Sequence, residues 1–195
     1  MNAEVAVSAK AERADGMRAD ARRNYERLLA AAGAAFAERG ADDVSLEEIA
    51  RRAGVGIGTL YRHFPTRQAL LEAVYRDQVD ALEARVAELL QSDSPGTALA
   101  EWLAALMAFS KAKRSLTTAM LDSELLSACK QILHGATDAL LARAQQAGAV
   151  RADVRGADVA RLTHAVGLAA DMGQDPGQAE RMLALVLGGV LNPAD

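Results

Sequence analysis

Residues 45–67 constrain the fold most strongly, because they contain two short helical segments separated by glycines: SLEEIARRAGVGIGTLYRHFPTR. Ser45 and Glu48 have the S-x-x-E spacing of a capping box, which predicts that a helix begins at Leu46. Gly54 follows two turns later, where a left-handed residue without a Cβ can end this helix. The stretch therefore predicts a short helix and a tight turn, followed by a second helix.

The second helix of this stretch has one apolar and one polar face. It is predicted to begin near Ile57 and to end before Pro65, which lacks an amide donor and disfavours helical geometry in the preceding residue. Leu60 and Phe64, four residues apart, form the inward face. The other face carries hydrogen-bonding groups: Thr59, Tyr61, Arg62 and His63. A helical hairpin buried in a core would be apolar on both faces, so the pattern favours a helix-turn-helix that contacts DNA.

The segment GVGIGTLYRHFPTRQALL resembles the signature of the TetR family of transcriptional regulators, and the similarity is tight over residues 22–72. The resemblance implies a helical homodimer with an N-terminal DNA-binding domain and a C-terminal domain that senses a small molecule. The predicted contacts to double-stranded DNA are Ser45, Ile57, Gly58, Thr59, Tyr61, Arg62, His63 and Arg67. Arg62 is the candidate base reader, through a bidentate contact to guanine, and Gly58 would allow the backbone to approach closely. Arg67 stands where the family most often has lysine, and this cation is predicted to hold a phosphate.

Composition supports an all-α fold for this chain of 195 residues, of which 51% are hydrophobic and 25% charged. Aromatic residues make up only 4%, and no long stretch alternates apolar and polar residues as a strand would. We predict a disordered tail or frayed helical extension over residues 1–17. A helix-turn-helix domain of three helices follows over residues 18–66, and a helical ligand-binding and dimerisation domain over residues 67–195.

Charge and cysteine usage narrow the function less than the motif does. The formal net charge is −4, which argues weakly against nucleic acid. Residues 1–67 carry 11 basic and 10 acidic side chains and residues 68–195 carry 11 and 16, so basic groups are enriched near the motif. The single cysteine cannot form an internal disulfide, and no signal peptide is evident, which predicts a cytoplasmic protein. The most apolar stretch, residues 182–191, is too short to span a membrane.

The helices outside the motif follow from apolar spacing and from glycine and proline positions. A helix over residues 66–90 links the two domains. The family resemblance implies that it acts as a lever, whereas a plain connecting helix fits the sequence equally well. The other predicted helices cover residues 19–39, 97–112, 115–121, 123–147, 153–172 and 178–191.

A pocket for a small molecule is implied by the resemblance and placed among the middle helices. The effector is expected to be apolar, because the large side chains in this region are apolar. Ordinary core packing is an alternative for each of them. The candidates are Trp102, Leu106, Phe109, Met120, Leu125 and Ile132.

The last two predicted helices favour self-association. The final helix is apolar around much of its circumference, so in so short a chain a partner subunit is its expected cover. Small residues such as Gly167 in the helix before it permit close approach. Two helices from each protomer would form a four-helix interface. The candidate interface residues are Leu162, Val166, Ala169, Met182, Val186 and Val190.

Enzymatic and metal-binding functions find little support. Cys129 and His134 are five residues apart and lie on different helix faces, and His164 is distant in the sequence. No catalytic motif is present, so we predict that the chain is not an enzyme and needs no cofactor. The preferred hypothesis is a repressor released from a palindromic operator by a small molecule. The alternatives are a DNA-binding activator or architectural protein without such control, and a helical interaction protein that has lost DNA binding.

Overall fold

The polypeptide is helical throughout the part that the structure describes. This computed structural model gives the backbone of residues 3–117, 124–172, 175 and 177–192, and the side chains of residues 19–110, 124–170, 175 and 177–192. Within these ranges the only strand-like pairing is an isolated antiparallel bridge between Val150 and Leu191, so the predicted all-α class is confirmed. The helices are α1 (Ala3–Arg39), α2 (Leu46–Ala53), α3 (Ile57–His63), α4 (Arg67–Leu89), α5 (Pro95–Thr117), α6 (Glu124–Gln146), α7 (Gly156–Met172) and α8 (Gln178–Val190).

The chain forms two compact units, and the boundary between them falls within α4. The first comprises Met1–Val74 and the second Tyr75–Asp195, whereas the sequence predicts a boundary after residue 66. About two turns of α4 therefore belong to the unit that holds α1–α3.

Helix α1 begins at Ala3, so the structure has a helical backbone where the sequence predicts a disordered tail or a helical extension. Alanine, glutamate, lysine and arginine dominate these residues and favour helix. Gly16 costs only about 1 kcal/mol relative to alanine in such a context, and it does not interrupt α1.

Helix α2 begins and ends where the sequence predicts. The Ser45 Oγ accepts a hydrogen bond from the Glu48 N–H at 3.1 Å, which satisfies an amide of the first turn. At the other end Gly54 has a φ of 65°, and the Val55 N–H donates to the Ala50 carbonyl at 3.0 Å. This is the Schellman arrangement, in which a left-handed residue closes the helix.

Apolar side chains from α1, α2 and α3 form the core of the first unit. Leu28 and Phe36 of α1, Ile49 of α2 and Leu60 of α3 are all 0–1% exposed. Phe64, directly after α3, is buried as well. Because these side chains meet from three helices, the core fixes how α3 is presented at the surface.

The core of the second unit is built around Trp102. This side chain is fully buried, and its Nε1–H donates to the Thr137 Oγ1 at 2.9 Å. Thr137 in turn donates to the Leu133 carbonyl at 2.8 Å, so both buried polar groups are satisfied. Helix α7 approaches α5 at Gly167, where an added Cβ would lie 3.6 Å from the Met107 Cγ.

The break predicted between residues 112 and 115 is wrong, because α5 continues to Thr117. The sequence of residues 111–114, KAKR, consists of helix-favouring residues without glycine or proline, so nothing in it ends the helix. The predicted helix over residues 115–121 extends beyond the residues that the structure describes. Helices α4, α5 and α6 have 23 residues each, yet no described helix is both long and apolar enough to cross a bilayer.

The outer surfaces of α7 and α8 expose large apolar side chains. Leu162 and Leu168 of α7 are 49% and 41% exposed, and Leu185 of α8 is 78% exposed. By contrast Val166 and Val190 are buried within their own chain, although the sequence predicts them at the dimer interface. The other predicted interface residues are half-buried: Ala169, Met182 and Val186.

Candidate nucleic-acid interface and small-molecule pocket

One surface of α3 carries most of the residues predicted to contact DNA. Four residues at helical spacing are exposed: Ile57, Gly58, Tyr61 and Arg62. Thr59 and His63 lie at the edge of this surface and are half-buried. An added Cβ at Gly58 would meet no described atom within 4 Å. The surface therefore offers a phenol, a guanidinium and an uncrowded stretch of backbone to an external partner.

Aromatic rings hold the end of α3 against α1. The Tyr25 and Phe64 ring centroids are 5.1 Å apart, and the His63 imidazole meets Tyr25 edge-on at 5.9 Å. Tyr25 is 36% exposed, and no sequence pattern indicates that it supports His63. Because one side of the imidazole rests on Tyr25, the orientation of His63 is restricted.

Two of the residues predicted to hold phosphates also make contacts within the chain. The Arg67 guanidinium donates to the Ala41 carbonyl and lies 5.9 Å from the centroid of the Phe36 ring. Ser45 accepts the capping hydrogen bond of α2 and retains its hydroxyl proton as a donor. Arg67 thus ties the start of α4 to the segment between α1 and α2, a structural role that the sequence does not reveal.

Arg27 supports the turn between α2 and α3. Its Nη2 donates to the Gly54 carbonyl at 3.0 Å, and an added Cβ at Gly54 would lie 2.6 Å from the same nitrogen. The φ of 65° favours glycine at this position, whereas the guanidinium is the end of a flexible side chain and can shift. No spacing in the sequence distinguishes Arg27 from the other arginines of α1.

Ion pairs join α1 to α2 beside this turn. Arg52 pairs with Glu38 at 2.7 Å and with Glu48 at 2.9 Å, and Glu48 also pairs with Arg39. The hydrogen bond from Arg39 lowers the pKa of the Glu48 carboxyl, while desolvation acts in the opposite direction. Surface pairs contribute little to stability, so we assign this network a role in orienting α2 on α1.

A cavity of about 450 Å³ lies between α5, α6 and α7 in the second unit. Its volume falls within the range of about 300–1,000 Å³ that is typical of small-molecule sites. Three of its apolar lining residues, Leu106, Phe109 and Leu133, are 6–8% exposed. The polar lining residues are Ser110, Lys130, His134, Arg161 and His164, and Ala160 completes the set.

The sequence identifies only part of this lining. Leu106 and Phe109 line the cavity as predicted, whereas Trp102 belongs to the core described above. Leu125 and Ile132 are half-buried and, being seven residues apart, share a face of α6 different from that of Leu133. Met120 lies outside the described residues. Hydrophobicity alone therefore does not distinguish residues of the core from residues that line the cavity.

Buried aromatic rings connect the cavity to α4. The ring of Phe109, a lining residue, lies 5.6 Å from that of Tyr75, measured between centroids. Tyr75 is fully buried, and desolvation raises its pKa to about 12. Burial likewise raises the pKa of the Cys129 thiol. No sequence pattern distinguishes Tyr75, which is the first residue of the second unit.

The histidines and the cysteine of the second unit have different surroundings. His134 and His164 line the cavity, and Cys129 is a free, buried thiol. Among the described residues no group of three or more histidine, cysteine, aspartate or glutamate side chains is placed to hold a metal ion.

Comparison with known protein families agrees with this architecture. A model described as bacterial regulatory proteins, tetR family, matches residues 28–74. A second, described as the C-terminal domain of SbtR-like transcriptional regulators, matches residues 94–192. The chain belongs to the TetR family of transcriptional regulators. The resemblance of the helix-turn-helix segment to this family is thereby confirmed, and the TetR-family regulator is a DNA-binding protein.

Solved structures extend the similarity over both units of this TetR-family regulator. A TetR regulator from Streptomyces coelicolor is 37% identical with a TM-score of 0.74, covering 87% of this chain and 99% of the other. A TetR regulatory protein from Mycobacterium vanbaalenii is 36% identical with a TM-score of 0.73, covering 90% and 99%. Among curated proteins, an HTH-type transcriptional regulator of Staphylococcus aureus is 39% identical over 64 residues. That match spans 33% of this chain and about a third (35%) of the curated relative.

Proposed function

We propose that this TetR-family regulator represses transcription by binding a near-palindromic operator as a homodimer, and that a small molecule releases it. The cavity between α5, α6 and α7 carries the proposal. A cleft of about 450 Å³ that combines buried apolar side chains with exposed polar ones is what a small-molecule site requires, whereas an architectural DNA-binding protein has no need of one. Since its partner is the DNA of a bacterial cell, the protein would act in the cytoplasm.

The exposed surface of α3 would enter the major groove of the operator. The guanidinium of Arg62 can bind guanine O6 and N7 in a bidentate manner. The Tyr61 hydroxyl and the Ser45 hydroxyl are suited to phosphate oxygens, and the Thr59 methyl can meet a thymine methyl. Gly58 would let a DNA strand approach the helix backbone. In this arrangement Arg62 determines which base sequence is preferred, and the hydroxyl groups position the protein on the DNA backbone.

Dimerisation through α7 and α8 would produce the symmetry of the operator. Leu162, Leu168 and Leu185 expose apolar surface that a second copy can cover, as expected for a two-fold interface. A two-fold axis relates the two copies of α3, so the half-sites should repeat as a near-palindrome. Their centres should lie about 34–36 Å apart, one turn of the duplex.

The contact between Phe109 and Tyr75 supports a route from the cavity to α4. A molecule that displaces Phe109 also disturbs Tyr75, whose ring lies 5.6 Å away. Helix α4 is continuous from Arg67 to Leu89, so a shift at Tyr75 can change the separation of the two α3 helices in the dimer. Binding of effector and of operator would then oppose each other reciprocally.

A transcriptional reporter tests the repressor role. The region upstream of the regulator's own gene would drive a fluorescent protein in a host that lacks the regulator. We expect the wild-type protein to lower fluorescence and Arg62→Ala to restore it, because the base contact is lost. Arg155→Ala, which changes an exposed arginine of the second unit, is the matched control and should repress normally. Increased fluorescence with the wild-type protein would identify an activator instead.

A further inference from the structure

We infer that the effector is an amphipathic anion, with an acidic head group bound by side chains of α6 and α7 and an apolar body buried against α5 and α6. The inference rests on the proposed function for its regulatory meaning and on the lining of the cavity for its chemistry. It replaces the apolar effector that the sequence predicts.

The floor of the cavity accepts the apolar body. Leu106 and Phe109 of α5 and Leu133 of α6 are each less than 9% exposed and line the cavity. Ala160 of α7 adds a small apolar group. A hydrocarbon chain or an aromatic ring placed here leaves water for an apolar surface, which is the main source of affinity in such sites.

The remaining lining is basic. Lys130 and His134 are four residues apart on α6, and Arg161 and His164 are three apart on α7, so each pair projects from one face of its helix. All four residues line the same cavity and are exposed at its surface. Lysine and arginine contribute two permanent positive charges, and imidazole and guanidinium nitrogens add hydrogen-bond donors.

The positive charge of the lining side chains determines which head group the cavity favours. Among the described lining residues there is no carboxylate, so an anionic head group meets charges of only one sign. Cations that line one cleft create a positive potential that attracts anions and repels cations. A carboxylate or phosphate can accept charge-assisted hydrogen bonds from Lys130 and Arg161. A neutral ligand of the same shape leaves those bonds unmade, and a cationic ligand is repelled.

The balance of the lining limits the head group to one acidic function. Leu106, Phe109, Leu133 and Ala160 supply almost half of the lining residues, which would disfavour a ligand charged along its whole length. Ligands with one acidic end and a hydrophobic remainder match both parts. Carboxylic acids and phosphate monoesters share this chemistry.

Probes with the same apolar body and different head groups test the inference by isothermal titration calorimetry. Octanoate and octyl phosphate carry acidic heads, octanamide a neutral head and octylammonium a positive one. We expect at least one acid to bind about 10-fold more tightly than octanamide, as one charge-assisted contact implies, and octylammonium to bind weakest. Equal affinity of the acids and octanamide would overturn the inference, and so would the absence of binding by both acids.

Substitutions assign the effect to the cavity. The double variant Lys130→Gln with Arg161→Gln should remove the preference for the acid and leave octanamide binding unchanged. Both side chains are exposed, so folding should be preserved, which circular dichroism would check. Arg155→Gln, outside the lining, is the control. An unchanged preference in the double variant would contradict the inference.

Operator binding measured with the same probes separates this inference from the proposed function. Release of operator by octanamide, with no preference for the acids, would support ligand control and refute the anion. Acid binding that depends on Lys130 and Arg161 but leaves operator affinity unchanged would support the ligand class and refute ligand control.

Discussion

At the scale of single residues, Gly58 is informative because nothing within its own chain requires a glycine there. Its φ is not positive, and an added Cβ would meet no described atom within 4 Å. Gly54, four residues earlier, has a φ of 65° and the Arg27 guanidinium against it. Gly58 therefore points to an external partner, whereas Gly54 is needed for the turn within its own chain.

We expect Gly58→Ala to keep or raise the free energy of unfolding, by up to about 1 kcal/mol, because alanine favours helix. The same change should weaken operator binding, since the methyl group would stand between α3 and the DNA. Thermal denaturation and fluorescence anisotropy with labelled operator would measure the two effects.

Gly54→Ala is the matched control for that experiment. Its left-handed backbone and its contact with Arg27 should make it lower the free energy of unfolding by about 1 kcal/mol or more. If Gly58→Ala binds operator as tightly as the wild-type protein does, close approach of DNA at this glycine is refuted.

Residue patterns predict which side chains α3 exposes, but they do not predict the contacts that hold the neighbouring segments in place. The helical spacing of apolar positions distinguishes the buried Leu60 from the exposed Tyr61 and Arg62. Arg27 and Arg67 reach carbonyl oxygens 27 and 26 residues away in the sequence. Such contacts depend on the tertiary arrangement, so no local pattern reveals them.

At the scale of helices, Leu185 distinguishes a subunit interface from the core of one chain. It is 78% exposed on α8, whereas Val186, the residue after it, is half-buried. A large apolar side chain so exposed buries little surface within its own unit, and the proposed dimer would cover it.

We therefore expect Leu185→Glu to produce a folded monomer, because the change would place a charge in the proposed dimer interface without disturbing the chain's own core. Light scattering coupled to size-exclusion chromatography would give the mass, and circular dichroism the helix content. Ala142→Glu, at an exposed position of α6, should remain dimeric. A Leu185→Glu protein that keeps the wild-type mass would place the interface elsewhere.

Helix ends are predictable where a residue imposes them. Gly40 and Gly148, both with positive φ, end α1 and α6 near the predicted positions. The predicted break in α5 fails because no glycine or proline supports it. Helix α7 begins at Gly156 rather than at residue 153, and an added Cβ at Gly156 would overlap the Asp138 carboxylate. The need for glycine at position 156 therefore comes from a neighbouring helix, and the local sequence does not show it.

At the scale of the whole molecule, the cavity is the feature that the sequence could not predict in detail. Its lining comes from three helices, and Lys130 and Arg161 belong to two different ones. Each looks like an ordinary exposed cation in the sequence. Their common position becomes visible only when packing brings both to the same cavity.

The central claim is that two copies of α3 in one dimer recognise two half-sites of one duplex. Selection of bound sequences from a random DNA pool at physiological salt tests it most directly, with Arg62→Ala in parallel. For the wild-type protein we expect a near-palindrome whose half-site centres are separated by about 10–10.5 base pairs, and for the variant a relaxed preference at one base step. No enriched sequence, an unrepeated half-site, or an identical selection by Arg62→Ala would contradict it.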